Sequence, residues 1–201
     1  MKALKNSVLV LIASSLIVQG CNDVPVPKPR GFFRIDLPDK EYIGLNDPAW
    51  KEHSLPLTFE YPVYGKISFG ENTNHEPGWF NVDFPAFRAR LYLTYKEINN
   101  DLGELMEETY RLNVKNHISK ADAINERVFS NTENRVYGIL YSLKGNTATA
   151  LQFFVTDSIN HYVRGSLYFL SEPNPDSLAP VTNFFREDMM HMMETLKWIE
   201  K

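Results

Sequence analysis

Cysteine is almost absent. Cys21 is the single one among 201 residues, so the chain has no internal disulfide and must rely on its core. Lysine and arginine never form a run. The 21 basic residues are scattered and outnumbered by 25 acidic ones, which excludes the basic stripe that nucleic-acid binding needs. No apolar stretch reaches the ~20 residues that span a bilayer as a helix. Gly-rich phosphate loops, a G-x-S-x-G elbow and an H-E-x-x-H pair are missing as well. Gly138, Gly145 and Gly165 stand isolated in or between predicted strands. The sequence therefore calls for no cofactor and no metal.

What is present begins with a short positive start, Met1, Lys2 and Lys5, followed by an almost wholly apolar or small run from Val8 to Val18. This is the charged-then-apolar pattern of a secretory signal, too short to stay as an anchor. Val18-Gln19-Gly20-Cys21 resembles the lipobox of bacterial lipoproteins. In that pattern the Cys21 thiol is acylated and residues 1–20 are removed. Each buried methylene contributes ~0.8 kcal/mol, so two or three acyl chains on one cysteine hold a protein on its membrane. Loss of residues 1–20 takes Lys2 and Lys5 away, leaving 19 basic and 25 acidic side chains, a net charge of −6. Residues 22–29 read N-D-V-P-V-P-K-P. Alternating prolines favour an extended spacer of ~3.1 Å per residue, on the order of 25 Å in all.

Strand signals dominate the rest. Leu57–Tyr61, Tyr64–Phe69, Trp79–Phe84 and Arg88–Tyr95 are β-branched or aromatic runs punctuated by Pro, Gly and Asn. Asp101 and Glu104 give a D-x-x-E helix start. Leu102, Leu105, Met106 and Leu112 supply its apolar stripe to about residue 118. Four more strands are predicted at Ala123–Phe129, Arg135–Leu143, Ala148–Thr156 and Tyr162–Leu170. Alternation places Val163, Leu167 and Phe169 on one face of the last strand, with Tyr162, Arg164 and Tyr168 opposite. Leu151, Phe153 and Val155 form the matching face one strand earlier, and the short Asp157–His161 turn pairs the two antiparallel. A final helix carries Leu178, Val181, Phe185, Met189, Met192, Leu196 and Ile199 at three- and four-residue steps, with Pro173, Pro175 and Pro180 near its start. The predicted class is α+β: a single antiparallel sheet of about seven to eight strands covered by two main helices. The chain divides into the signal segment 1–20, a lipidated and Pro-rich tether with an aromatic segment at 21–38, and one domain at 39–201.

Candidate chemistry is sparse. His191 has Glu187, Asp188 and Glu194 at helical spacing, which could begin a metal site or merely decorate a solvated face. Asp157, Ser158 and His161 can be written as a triad, but three polar residues in one tight turn usually serve that turn. Two aromatic segments stand out. Gly70–Phe87 sets Trp79, Phe80, Phe84 and Phe87 among prolines, and Arg30–Pro38 holds Phe32 and Phe33. Such rings either fill the core or build a recognition surface. Phe32, Phe33, Trp79 and Phe80 are the candidate partner-binding residues.

The runs P-K-P-R-G-F-F-R-I-D-L-P (27–38), F-E-Y-P-V-Y-G-K-I (59–67) and E-P-G-W-F-N-V-D-F-P-A-F (76–87) resemble the gliding-motility lipoprotein family GldD of Bacteroidota. So do Q-F-F-V-T-D-S (152–158), H-Y-V-R-G-S-L-Y-F (161–169), P-N-P-D-S-L-A-P-V (173–181) and E-T-L-K-W (194–198). The resemblance implies a non-catalytic lipoprotein held to a membrane and facing the periplasm. Its implied partners are other gliding-motility lipoproteins and components of the linked type IX secretion system. Only Cys21 carries over as a functional residue, the lipid attachment site. The sheet-plus-two-helices layout also looks like the Mog1/PsbP arrangement, an analogy that does not fix function.

Overall fold

The computed structural model describes residues 35–45, 48–70, 78–170 and 175–199. These lie within the compact unit Phe33–Lys201. Residues 1–34, with Cys21, Phe32, Phe33 and most of the predicted tether, fall outside the described residues, as does His75.

The chain runs β1 (Tyr42–Gly44), α1 (Pro48–His53), β2 (Leu57–Thr58), β3 (Glu60–Pro62), β4 (Lys66–Ser68) and β5 (Trp79–Phe84). It continues with β6 (Ala89–Glu97), α2 (Leu102–Tyr110), β7 (Ala121–Asn131), β8 (Val136–Gly145), β9 (Thr149–Thr156) and β10 (His161–Phe169). The long helix α3 (Pro175–Thr195) and β11 (Lys197–Trp198) close it. Seven strands form one sheet in the order β4-β5-β6-β10-β9-β8-β7, every neighbouring pair antiparallel. The sheet has the predicted size and sense, but the Leu57–Tyr61 run, expected as one strand, does not join it. Leu57–Tyr61 divides at Phe59, so that β2 pairs with β11 and β3 pairs with β1 in two small separate sheets.

The long strands form where β-branched and aromatic residues alternate, and alternation selects their faces. Leu151, Phe153 and Val155 on β9 and Val163 and Leu167 on β10 are almost wholly buried in one cluster. Val181, Phe185, Met189 and Met192 of α3, and Leu196 just past its end, pack onto that cluster, as their spacing predicts. Burying each such side chain contributes about 1.5–3 kcal/mol. The opposite face is also covered. Tyr162 and Phe154 sit under α2 with Leu105, Tyr141, Leu143 and Val114 in a second cluster. Tyr162 is thus buried rather than solvent-facing, and the sheet is enclosed on two sides at this end.

Both helices depart from their sequence patterns at the ends. The D-x-x-E start of α2 makes no side-chain cap; Asp101 instead accepts the backbone N–H of Asn99 at 2.8 Å. After Tyr110 the chain continues as a π-turn, Arg111–Lys115. Widening the turn there resets the helical phase and buries Asn113 and Val114. Met106 of the predicted stripe is exposed within α2 itself, whose buried positions are Leu105 and Thr109. At the other end of the chain α3 stops at Thr195. Lys197–Trp198 become a strand and Ile199, expected on the helix stripe, is exposed. Pro180 lies inside α3 rather than at its first turn. No described helix is long and apolar enough to cross a membrane.

Candidate functional site

The aromatic segment divides along β5. Phe80, Val82 and Phe84 point into the core, with Phe80 only 1% exposed, whereas Trp79 is 46% exposed on the other face. Phe80, grouped with Trp79 as a candidate contact residue, is therefore corrected to a core residue. Its ring meets Trp50 edge-on at 4.8 Å and lies beside Phe59. The period of two in a strand makes neighbouring aromatics do opposite things.

Register assembles the outward face around Trp79. Trp79 pairs with Thr94, and Thr94 with Arg164; Asn81 pairs with Tyr92, and Tyr92 with Ser166; Asp83 pairs with Arg90, and Arg90 with Tyr168. Three exposed rings, Trp79, Tyr92 and Tyr168, therefore share this face of adjacent strands β5, β6 and β10. Tyr92 and Tyr168 meet edge-on at 5.5 Å. The Arg90 guanidinium bonds Asp83 and lies 5.6 Å from the Tyr92 ring centre. Where this face meets α2, a cleft of about 300 Å³ opens between Trp79, Lys96, Glu108, Thr109 and Arg164. Rigid rings with charged neighbours can bind a partner surface at small entropic cost.

The side chains with catalytic potential are engaged elsewhere. Asp157 Oδ1 accepts the backbone N–H groups of Ile159, Asn160 and His161 at 2.8–2.9 Å, closing the β9–β10 turn. Burial works against its charge, yet those three donors and nearby His161 win and hold its carboxyl below the usual range. His161 Nδ1 lies 2.9 Å from the Tyr95 hydroxyl, and its ring stacks on Trp198. His191 Nε2 lies 2.7 Å from Glu60 Oε2, and its ring stacks on Tyr42 at 3.6 Å. His53 stacks on Phe69. Burial, with Lys120 nearby, lowers the His117 pKa. Neither the triad geometry nor a metal site forms from these groups: among the described residues, no three His, Cys, Asp or Glu side chains converge.

One polar cluster escapes the sequence pattern entirely. Asp188, 3% exposed on α3, accepts Lys40 Nζ at 2.5 Å and the Tyr42 hydroxyl at 3.0 Å on Oδ1. The Tyr64 hydroxyl donates to Oδ2 at 2.5 Å. Lys40 also donates to the Phe184 carbonyl at 2.7 Å and rides over the Phe184 ring. Burial raises the pKa of both tyrosines, with Asp188 adding to it, and keeps their hydroxyls as donors. Burial also lowers the Lys40 pKa against the pull of Asp188. The cluster pins the segment that follows the tether to α3. The partners lie 124 to 148 residues from Asp188, so spacing within one element could not reveal them.

No curated protein sequence matches the chain. Among solved structures, the solution structure of cyanobacterial PsbP (CyanoP) from Synechocystis sp. PCC 6803 is similar, with a TM-score of 0.47 and 12% identity. The match covers 90% of this chain and 99% of that one. It brings no ligand, partner or role with it. The profile of the gliding motility lipoprotein GldD matches residues 22–198, nearly the whole sequence after Cys21. The chain belongs to the gliding motility lipoprotein GldD family.

Proposed function

We propose that the protein is a non-catalytic accessory or assembly factor, tethered through an acylated Cys21, for the gliding machinery and the linked type IX secretion system. Family membership over residues 22–198 supports the role in motility. The non-catalytic part is supported by the use of Asp157, His161 and His191 in turns and packing contacts. A tether at Cys21 confines the domain to a thin periplasmic layer and raises its effective concentration toward partners in the same membrane.

The contact surface in this reading is the outward sheet face carrying Trp79, Tyr92 and Tyr168, with Phe32 and Phe33 of the tether as a second element. Its occupant is another envelope lipoprotein of the gliding apparatus. Crosslinking in intact gliding cells tests this. Wild type should recover a defined set of envelope partners. Replacing Trp79 and Tyr92 by serine should reduce that recovery severalfold while the domain still folds, and Cys21→Ser should abolish it. Unchanged recovery in the Trp79/Tyr92 variant would remove the face from consideration. Unchanged recovery in Cys21→Ser would remove the tether.

A further inference from the structure

A second cleft, of about 700 Å³, opens on the other side of the sheet, between the β7–β8 edge and the first half of α3. On β8 the residues facing α3 run Leu140, Ser142, Lys144, and the buried core ends at Leu140. On β7, Asn125 pairs with Ser142 and Arg127 pairs with Leu140. Across the cleft, Arg186 of α3 donates from Nε to Ser142 Oγ at 3.3 Å and from Nη1 to Asn183 Oδ1 at 2.8 Å. Sheet and helix thus part beyond Leu140, where Ala148, Ala150, Phe169, Leu178 and Ala179 line the cleft beside these polar groups and Arg186 spans the gap. Two of its five N–H donors are used, which orients the guanidinium and leaves the others for a ligand.

The charge balance is specific. Arg127, Lys144 and Arg186 line one cleft in a chain whose net charge is −4. Arg127 and Lys144 are exposed and pair with no carboxylate among the described residues. Two acids also line the cleft. Glu126 pairs with Tyr141 and acts on the Tyr141 hydroxyl, which belongs to the α2 face. Asp122 lines the Lys144 end of the cleft, beside Gly145, and offsets that cation, leaving Arg127 and Arg186 as its uncompensated pair. With Asp122 offsetting one of the three cations, a monovalent anion would leave one of the remaining two uncompensated, and a wholly apolar ligand would desolvate them without return. The volume exceeds a bare phosphate and falls in the range of small-molecule sites.

We propose that this cleft binds a phosphate-bearing small molecule carrying at least two negative charges, with Arg186 and Arg127 gripping the phosphoryl oxygens and Lys144 adding charge. The phosphoryl group belongs either to a membrane lipid headgroup or to a free phosphosugar. Neither the cleft nor its ligand depends on the outward aromatic face.

Calorimetric titration of the detergent-solubilised full chain with inorganic pyrophosphate at low salt tests the site. Saturable binding is expected, weakened at least about tenfold each by Arg186→Gln and Arg127→Gln, since each loses charge-assisted hydrogen bonds to the phosphoryl oxygens. Lys144→Gln, at an exposed position, provides a variant that leaves packing alone and should also weaken binding. Lys51→Gln on α1 should leave it unchanged. Parallel titrations with glycerol 3-phosphate and glucose 6-phosphate separate the two sources, the tighter ligand naming the class. Absence of saturable pyrophosphate binding overturns the proposal. So does binding that survives all three cleft substitutions in variants whose thermal melts match wild type.

Discussion

Trp79 and Phe80 are adjacent and similar in chemistry, yet they sit in opposite environments, and that difference can be measured. Phe80→Ala should destabilise the domain by about 3–5 kcal/mol, because a fully buried ring leaves both lost transfer energy and a cavity. Trp79→Ala should cost under about 1 kcal/mol. Urea denaturation distinguishes the two; equal losses would mean that the faces of β5 are misassigned. Asp157 provides a pH-dependent counterpart. Its folded pKa is depressed, so its contribution is complete above the unfolded value of about 4 and drains as pH falls through the folded value. The stability gap between wild type and Asp157→Ala should therefore be wide at pH 7 and distinctly narrower at pH 3. A gap that does not change with pH would show that the three backbone hydrogen bonds do not favour the charged form. Residue patterns revealed the role of Asp157 because its partners lie within four positions. They set Asp188 beside His191 and missed its partners Lys40 and Tyr42, and Tyr64 from the turn beyond β3.

Elements were legible where a period of two or 3.6 ran unbroken. Trp79–Phe84 begins and ends where alternation and flanking turn residues place it, and α3 buries Val181, Phe185, Met189 and Met192 as its stripe requires. The pattern failed where a geometric irregularity reset the phase, at the π-turn after α2 and at the switch from α3 to β11. It also failed at Leu57–Tyr61, because a run of strand-forming residues does not say which partner each half will find. Isolated glycines in strands, unremarkable as sequence, turn out to be close approaches. A Cβ at Gly165 would lie 2.3 Å from the Phe153 ring on the neighbouring strand, and one at Gly138 would lie 1.9 Å from the Phe154 carbonyl oxygen. Gly165→Ala should therefore destabilise by about 1–3 kcal/mol through overpacking, despite the better strand propensity of alanine. A thermal melt at or above wild type would indicate that the Phe153 ring moves aside freely.

At the scale of the molecule, a seven-stranded antiparallel sheet carries its main core under α3 and a smaller one under α2. It leaves an aromatic face around Trp79 and a cationic cleft beside Arg186. The α+β class followed from the strand-rich order with one helix inserted and one at the end. The two-sided covering did not, since Tyr162, Phe154 and Tyr141 read equally well as outward aromatics. The cleft was invisible for a related reason: Arg127, Lys144 and Arg186 lie on three elements, and only the β7–β8 register and the course of α3 bring them together. All proposals about partners depend on the domain being held where those partners are. Intact-mass and N-terminal peptide spectrometry of the protein purified from its native membrane examines this most directly. The predicted result is a mature chain that starts at Cys21 and carries fatty-acyl mass on that residue. A mature chain starting elsewhere, or one starting at Cys21 with a bare thiol and amine, contradicts it.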